Sequence, residues 1–116
     1  MKVINMSDVE TQDVKTDLFT GTVHTQNVID ADVAKGFRFG MVKFDAGVRN
    51  IFHTHSNEQV LLIMEGKGIV ATEDKEVTVT PGMLVYIPAG EKHWHGATKD
   101  SAFSHIAFMP PGETSF

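Results

Sequence analysis

Short stretches rich in β-branched and aromatic residues, separated by turn residues, make up most of this chain, and helical periodicity is nearly absent. Pairs such as Ala46-Gly47 and Pro81-Gly82 are typical of turns. The only helix that the pattern allows is a short one in the polar stretch 7–12. The predicted strands cover residues 18–29 (with a bend at Gly21), 37–45, 51–55, 59–65, 69–72, 76–80, 83–87, 93–97 and 102–109. About nine short strands indicate an all-β fold, either a closed antiparallel barrel or a double-sheet jelly roll.

Two segments carry more specific expectations. Residues 59–65 form a nearly continuous apolar run, which predicts a strand buried on both faces. The sequence Pro110-Pro111-Gly112 should end regular structure and leave a loose tail.

Length and charge narrow the function classes. A chain of 116 residues predicts one domain, 1–116. The net charge of −5 and the lack of a basic cluster argue against nucleic-acid or membrane-surface partners. The absence of a signal-type apolar segment at the start favours a cytoplasmic location. The absence of cysteine excludes disulfides, thiolate metal sites and thiol nucleophiles.

Histidine is the unusual residue of this composition. Four of the six histidines form two His-x-His pairs; the six are His24, His53, His55, His93, His95 and His105. One such pair on a strand usually means packed or exposed side chains. Two pairs, each beside a glycine-bearing turn, favour a metal site over that alternative.

Strand geometry selects the candidate ligands. Residues at i and i+2 share a strand face, so His53 and His55 lie side by side, and the same parity reaches Gln59 rather than Glu58. His93 follows a tight turn that can direct it inward. Three imidazoles suit Zn, Cu, Fe and Ni, and an amide oxygen extends the choice toward Mn.

The glycine, proline and histidine spacing resembles that of the cupin superfamily. Its first motif is similar to Gly47-x5-His53-x-His55-x3-Gln59-x6-Gly66, and its second to Gly82-x5-Pro88-x-Gly90-x2-His93, with fifteen residues (67–81) between them. The resemblance covers roughly residues 38–109 and implies a cupin β-barrel (a double-stranded β-helix) with the metal inside. Residues 1–37 would add N-terminal strands.

The chain departs from the cupin pattern at two positions. Ala97 stands where the second motif usually has Asn, and Gln59 where the first usually has Glu. A neutral amide leaves a bound divalent ion one positive charge more, which weakens binding and strengthens polarisation of a bound oxygen. The alternative, that Gln59 has abolished the site, is less favoured because amide oxygen is a competent ligand.

Within the superfamily, the Gln-for-Glu ligand set resembles those of hydroxynitrile lyases, polyketide cyclases and a uronate enzyme of pectin degradation. The resemblance is closest to the hydroxynitrile lyases, and it rests on Phe19-Thr20-Gly21-Thr22-Val23, His53-Thr54-His55 with Gln59, and residues 90–97. It implies a manganese cofactor, with Fe, Zn, Ni or Cu as alternatives. Small cupins also commonly form homodimers, so a homodimer is expected.

Two further histidines are candidates for proton transfer. His105 lies on the last predicted strand, on the face of Phe103 and Ala107. The resemblance to the hydroxynitrile lyases implies that His105 is the catalytic base. The alternative is a hydrogen-bonded wall residue. His95 shares the parity of His93 and is assigned to a supporting role beside the metal.

Three functions follow. The first is an enzyme whose metal acts as a Lewis acid on a small oxygen-bearing substrate, with cleavage or formation of a C–C bond as in hydroxynitrile lyases. The second is an oxygenase, isomerase or cyclase. The third is a small-molecule-binding cupin without catalysis, which metal analysis and a substrate panel would distinguish from the others.

Overall fold

The computed structural model describes residues 1–116 and is an antiparallel all-β structure. One short 3-10 helix (Met6–Asp8) precedes eleven strands: β1 (Gln12–Val14), β2 (Val23–Ile29), β3 (Arg38–Phe44), β4 (Thr54–His55), β5 (Gln59–Gly66), β6 (Gly68–Thr72), β7 (Glu76–Val79), β8 (Leu84–Ile87), β9 (His93–Ala97), β10 (Phe103–Met109) and β11 (Thr114–Ser115). No helix has the length and apolar character needed to cross a membrane.

Two sheets enclose the core. A six-stranded sheet has the order β1-β2-β3-β10-β5-β8, and a three-stranded sheet has the order β7-β6-β9. The short strands β4 and β11 form a separate pair. The largest fully buried apolar side chains come from the first sheet. Among them Phe44, Leu61 and Phe103 pack with Val70 and Val79 of the second sheet. The predicted all-β, double-sheet fold is therefore confirmed.

The prediction that 59–65 is buried on both faces is wrong. Along β5, Leu61 and Ile63 are buried, whereas Leu62 and Met64 are 36% and 40% exposed. A sheet in a two-layer fold has only one inner face, so every second side chain points outward even where the sequence is apolar. Burial alternates along β5, but the exposed face also carries apolar residues, so the sequence itself does not alternate.

The N-terminal region also differs from its prediction. The proposed helix over 7–12 shortens to the 3-10 turn at Met6–Asp8, and Gln12 already belongs to β1. The strand predicted to start at residue 18 starts at Val23, and Phe19 makes only an isolated bridge to Asn50. The division into residues 1–37 and a barrel over 38–109 stays a prediction, as does the homodimer.

The tail, which was predicted to be loose, is ordered against the barrel. Strand β11 pairs with β4 in the register Thr114↔His55 and Ser115↔Thr54. The edge of β4 offers unpaired backbone groups, and the tail satisfies them: Ser56 N–H donates to the Glu113 carbonyl at 2.9 Å. Strand β10 ends just before the two prolines, but Thr114 and Ser115 beyond them still pair with β4.

His24 on β2 forms a contact with two carboxylates whose strength depends on pH. His24 Nδ1 lies 2.7 Å from Asp13 of β1, and Nε2 lies 3.2 Å from Asp45. The hydrogen bond to Asp13, followed by that to Asp45, raises the pKa of His24 above its ordinary value. Folding therefore favours the protonated imidazole, whose stabilisation is present below about pH 6.5 and lost as the pH rises through the folded pKa.

We expect the free energy of unfolding of the wild type to exceed that of His24→Gln by up to about 1 kcal/mol at pH 6, and the difference to vanish by pH 9. Urea unfolding of both proteins across this range measures the difference, which isolates His24 from the buried histidines. Asp13→Asn is the matched control and should remove most of the same difference. A gap between wild type and His24→Gln that is constant with pH would contradict the assignment.

Candidate metal centre

Backbone pairing brings the predicted histidine ligands together. His53 N–H donates to the His93 carbonyl at 2.9 Å, and His93 N–H donates back to the His53 carbonyl at 3.0 Å. This isolated bridge joins the start of β4 to the start of β9, and the two ring centroids lie 4.3 Å apart. The ring of His55 lies 4.8 Å from that of His53 and 5.3 Å from that of His93.

The turn before β9 contributes to this arrangement. Gly90 has a φ of +80°, a backbone conformation that residues other than glycine rarely adopt. Its N–H donates to the His55 carbonyl at 2.9 Å. Ring nitrogens of His53, His55 and His93, one from each residue, lie within 4.8 Å of one another. Gln59 is buried as the strand parity predicts, whereas Glu58 is exposed and hydrogen-bonds Tyr86.

The tautomers of two histidines follow from their partners. His53 Nδ1 lies 2.7 Å from the Ile51 carbonyl, and His93 Nδ1 lies 2.8 Å from the Glu91 carbonyl. A carbonyl oxygen only accepts, so each Nδ1 carries the hydrogen and donates it. Each Nε2 therefore keeps a free lone pair, which is the state that binds a metal.

Three buried polar atoms at the cluster lack a hydrogen-bond partner: His55 Nε2, His93 Nε2 and Gln59 Oε1. The Gln59 amide lies close enough to His55 to favour the protonated form of that imidazole. Unpaired buried acceptors are costly and uncommon in folded proteins. Their convergence is accounted for by a cation, so the residues present fit a divalent metal ion.

Burial keeps these imidazoles neutral. It lowers the pKa of His53 to about 4, and it also lowers the pKa of His55 and of His93. A metal competes with protons for the same lone pairs, so ligands that are already neutral at pH 7 bind without a protonation cost.

His95 and His105 form a second buried layer behind the cluster. The His95 ring lies 5.8 Å from that of His93 and 5.9 Å from that of His53. His105 lies beyond it, packed against His95, Phe44 and Phe103. Burial lowers the pKa of His105 to about 4 and that of His95 well below its ordinary value.

A hydrogen-bond chain fixes the tautomers of this layer. Asn50 Oδ1 accepts from the His95 backbone N–H at 2.8 Å, which leaves the amide Nδ2 to donate to His95 Nε2 at 3.3 Å. His95 therefore carries its hydrogen on Nδ1 and donates it to His105 Nε2 at 3.2 Å. The hydrogen of His105 is then on Nδ1, a buried atom without a partner. No local sequence pattern identifies Asn50, because it acts across 45 residues.

One cavity has a candidate ligand in its wall, and a second is lined by a residue that contacts Gln59. The first, of about 470 Å³, opens between β6, β7 and β8 with His93 in its wall. Its lining is mainly apolar, with Val70, Val79 and Ile87 prominent, and Lys75 is its only cationic side chain. A smaller one of about 200 Å³ is lined by β2, β3 and β10 and includes Met109, whose sulfur lies 3.6 Å from Gln59 Nε2. The site can thus accept a small molecule with an apolar body.

Comparisons with known proteins agree with this architecture. The (R)-mandelonitrile lyase of Granulicella tundricola is 37% identical over 94 residues, which are 80% of this chain and 72% of the lyase. An acireductone dioxygenase of Parasynechococcus marenigrum is 36% identical over 73 residues, which are 57% of this chain and 39% of the dioxygenase.

A solved structure and a family model also match this chain. The polyketide cyclase RemF from Streptomyces resistomycificus superimposes with a TM-score of 0.89 at 21% identity, covering 99% of this chain and 84% of the cyclase. Residues 40–114 match the family described as Cupin_2, cupin domain. The chain belongs to the cupin family.

Proposed function

We propose that this cupin is a metal-dependent enzyme acting on a small oxygen-bearing substrate. The ligands would be His53, His55, Gln59 and His93. The observation that carries the proposal is the set of three buried, unpartnered acceptor atoms, His55 Nε2, His93 Nε2 and Gln59 Oε1. Bound there, a divalent cation would supply Lewis-acid stabilisation of negative charge on a substrate oxygen.

Manganese is the metal we propose first. The ligand set of three imidazoles and one amide oxygen has a hard oxygen donor that suits Mn, and the similarity to hydroxynitrile lyases favours it. Fe, Zn, Ni and Cu are the alternatives, since imidazole also binds these ions. Elemental analysis of protein purified without chelator decides among them.

The proposed reaction is cleavage of a cyanohydrin to an aldehyde and cyanide, or its reverse. The 37% identity to a mandelonitrile lyase supports this reaction class. The apolar lining of the larger cavity suits the hydrocarbon part of such a substrate. In cleavage, the hydroxyl proton moves to a base, the C–O bond becomes a carbonyl, and the electron pair of the C–C bond leaves with cyanide.

His105 is the proposed base. Its lowered pKa of about 4 leaves it neutral at pH 7 and able to accept a proton. Its Nε2 accepts the hydrogen bond of His95, so proton uptake at that atom competes with this contact. The alternative is a wall role, in which His105 holds the ring of His95 beside the cluster.

An oxygenase, isomerase or cyclase is the second candidate. The identity of 36% over 73 residues to an acireductone dioxygenase supports this candidate. A binding protein without catalysis remains the third candidate, and a substrate panel on metal-loaded protein separates it from both enzymes.

We expect Gln59→Glu to bind Mn²⁺ more tightly than the wild type, by an order of magnitude or more, because it adds a negative charge next to the ion. Isothermal titration with Mn²⁺ measures the change. Glu58→Gln is the matched control: it alters the charge one residue away on the exposed face and should leave the affinity unchanged. Equal Mn²⁺ affinity in Gln59→Glu and the wild type would contradict a ligand role for residue 59.

We expect His105→Gln to lower mandelonitrile cleavage by about 10²- to 10⁴-fold, the range for losing a general base, at undiminished Mn²⁺ content. Cyanide release and metal analysis on the same preparation give the two quantities. His24→Gln, which changes a histidine outside the barrel interior, is the control and should keep full activity. Full activity in His105→Gln would remove this residue as the base, and an inactive wild type would redirect the search to the second candidate.

A further inference from the structure

The four candidate ligands differ in what holds them in place. His53 and His93 each donate Nδ1–H to a backbone carbonyl two residues earlier in their own segment, at 2.7 Å and 2.8 Å. These two contacts are local, and both acceptors are backbone groups. The other two ligands have no such local support.

His55 is held by the C-terminal tail. Its Nδ1 lies 2.9 Å from Thr114 Oγ1, on a residue 59 positions away. When Thr114 accepts the Nδ1–H, Nε2 is left with its lone pair, and that atom is the buried acceptor without a partner.

Gln59 is also held from the C-terminal side. Its Nε2 donates to Met109 Sδ at 3.6 Å, on the last residue of β10. A thioether accepts hydrogen bonds and never donates, so this contact selects the nitrogen end of the amide. The oxygen end is then the one left unpartnered within the cluster.

The segment between Met109 and Thr114 is hydrogen-bonded to the loop after β4. Asn57 Nδ2 donates to the Pro111 carbonyl at 2.6 Å, and Glu113 N–H donates to Ser56 Oγ at 2.8 Å. Gly112 lies against this loop so closely that a Cβ there would collide with Ser56 Oγ and approach Asn57 Nδ2. An alanine at this position would therefore have to displace the ends of the Ser56 and Asn57 side chains, which are the groups that bind the tail.

We propose that the segment 109–114, the C-terminal strap, is the outer support of the metal centre, and that Thr114 and Met109 are positioning residues for His55 and Gln59. The inference rests on the metal site proposed above. It predicts that metal retention depends on a part of the chain that contributes no ligand.

Thr114→Val tests the strap with little change in shape, because it replaces a hydroxyl by a methyl group and leaves the backbone pairing of β11 intact. We expect its affinity for Co²⁺, measured by competition with a chromophoric chelator, to fall by about 10- to 100-fold, as for other outer partners of metal-binding histidines. Thr114→Ser restores the hydroxyl and should restore the affinity. Ser115→Ala, on the same strand, is the matched control and should bind as the wild type does.

A structural effect is separated from positioning by two further measurements. The melting temperature of metal-free Thr114→Val should fall by only a few degrees, because one hydrogen bond is lost while the strap stays paired. Nitrogen-15 chemical shifts of the His55 ring in metal-free protein should report hydrogen on Nδ1 in the wild type and a mixture of tautomers in Thr114→Val. Gly112→Ala, which disturbs the contacts of Ser56 and Asn57 with the strap and alters neither positioning residue, should also lower the Co²⁺ affinity.

The outcomes distinguish the two proposals. Wild-type Co²⁺ affinity and an unchanged His55 tautomer in Thr114→Val would overturn the role of the strap while leaving the metal site intact. A wild type that binds no Co²⁺, Mn²⁺ or Zn²⁺ would overturn the proposed function. In that case the tautomer comparison alone decides whether Thr114 positions His55.

Discussion

The reciprocal pair of backbone hydrogen bonds between His53 and His93 is the constraint on which the site depends. It fixes the edge of the three-stranded sheet to the chain segment that continues into β5 of the six-stranded sheet. Because the ladder sets the direction of both side chains, the two imidazoles face each other without any help from their own polarity. The position of His55 then follows from strand alternation, and that of Gln59 follows from the start of the next strand.

The arrangement imposes a cost on the folded state. Five histidines are buried, and none of them forms an ion pair with a carboxylate. Burial holds their pKa values below the ordinary range, so the unfolded chain takes up protons more readily than the folded chain as the pH falls below about 6.5. Acid therefore destabilises the interior, whereas the surface contact of His24 acts in the opposite direction. A conflict of this kind between stability and local chemistry is characteristic of functional sites.

The sequence predicted the parts of this molecule that depend on short-range periodicity. Turn residues and alternation located most strands, and parity alone separated Gln59 from Glu58. The residues that alternation could not find act over long separations: Asn50 on His95 across 45 positions and Thr114 on His55 across 59. Neither has a local signal, since a lone Asn or Thr near a turn is unremarkable. The order of the tail has no local signal either, because it depends on pairing with the edge of β4 rather than on the composition of the tail.

The exchange of Glu for Gln at position 59 explains why such a site needs support from outside its motifs. A carboxylate presents the same ligand atom whichever way it rotates, whereas an amide presents either an oxygen or an NH₂ group. Only the oxygen can bind a cation, so the neutral ligand needs an acceptor on its far side to select the correct end. Met109 occupies that position and offers only an acceptor. A neutral ligand set is expected to hold the metal less tightly and to polarise its ligands more strongly. Such a site would thus depend on Met109 at the end of β10 and on the residues after it, which lie outside the two sequence motifs.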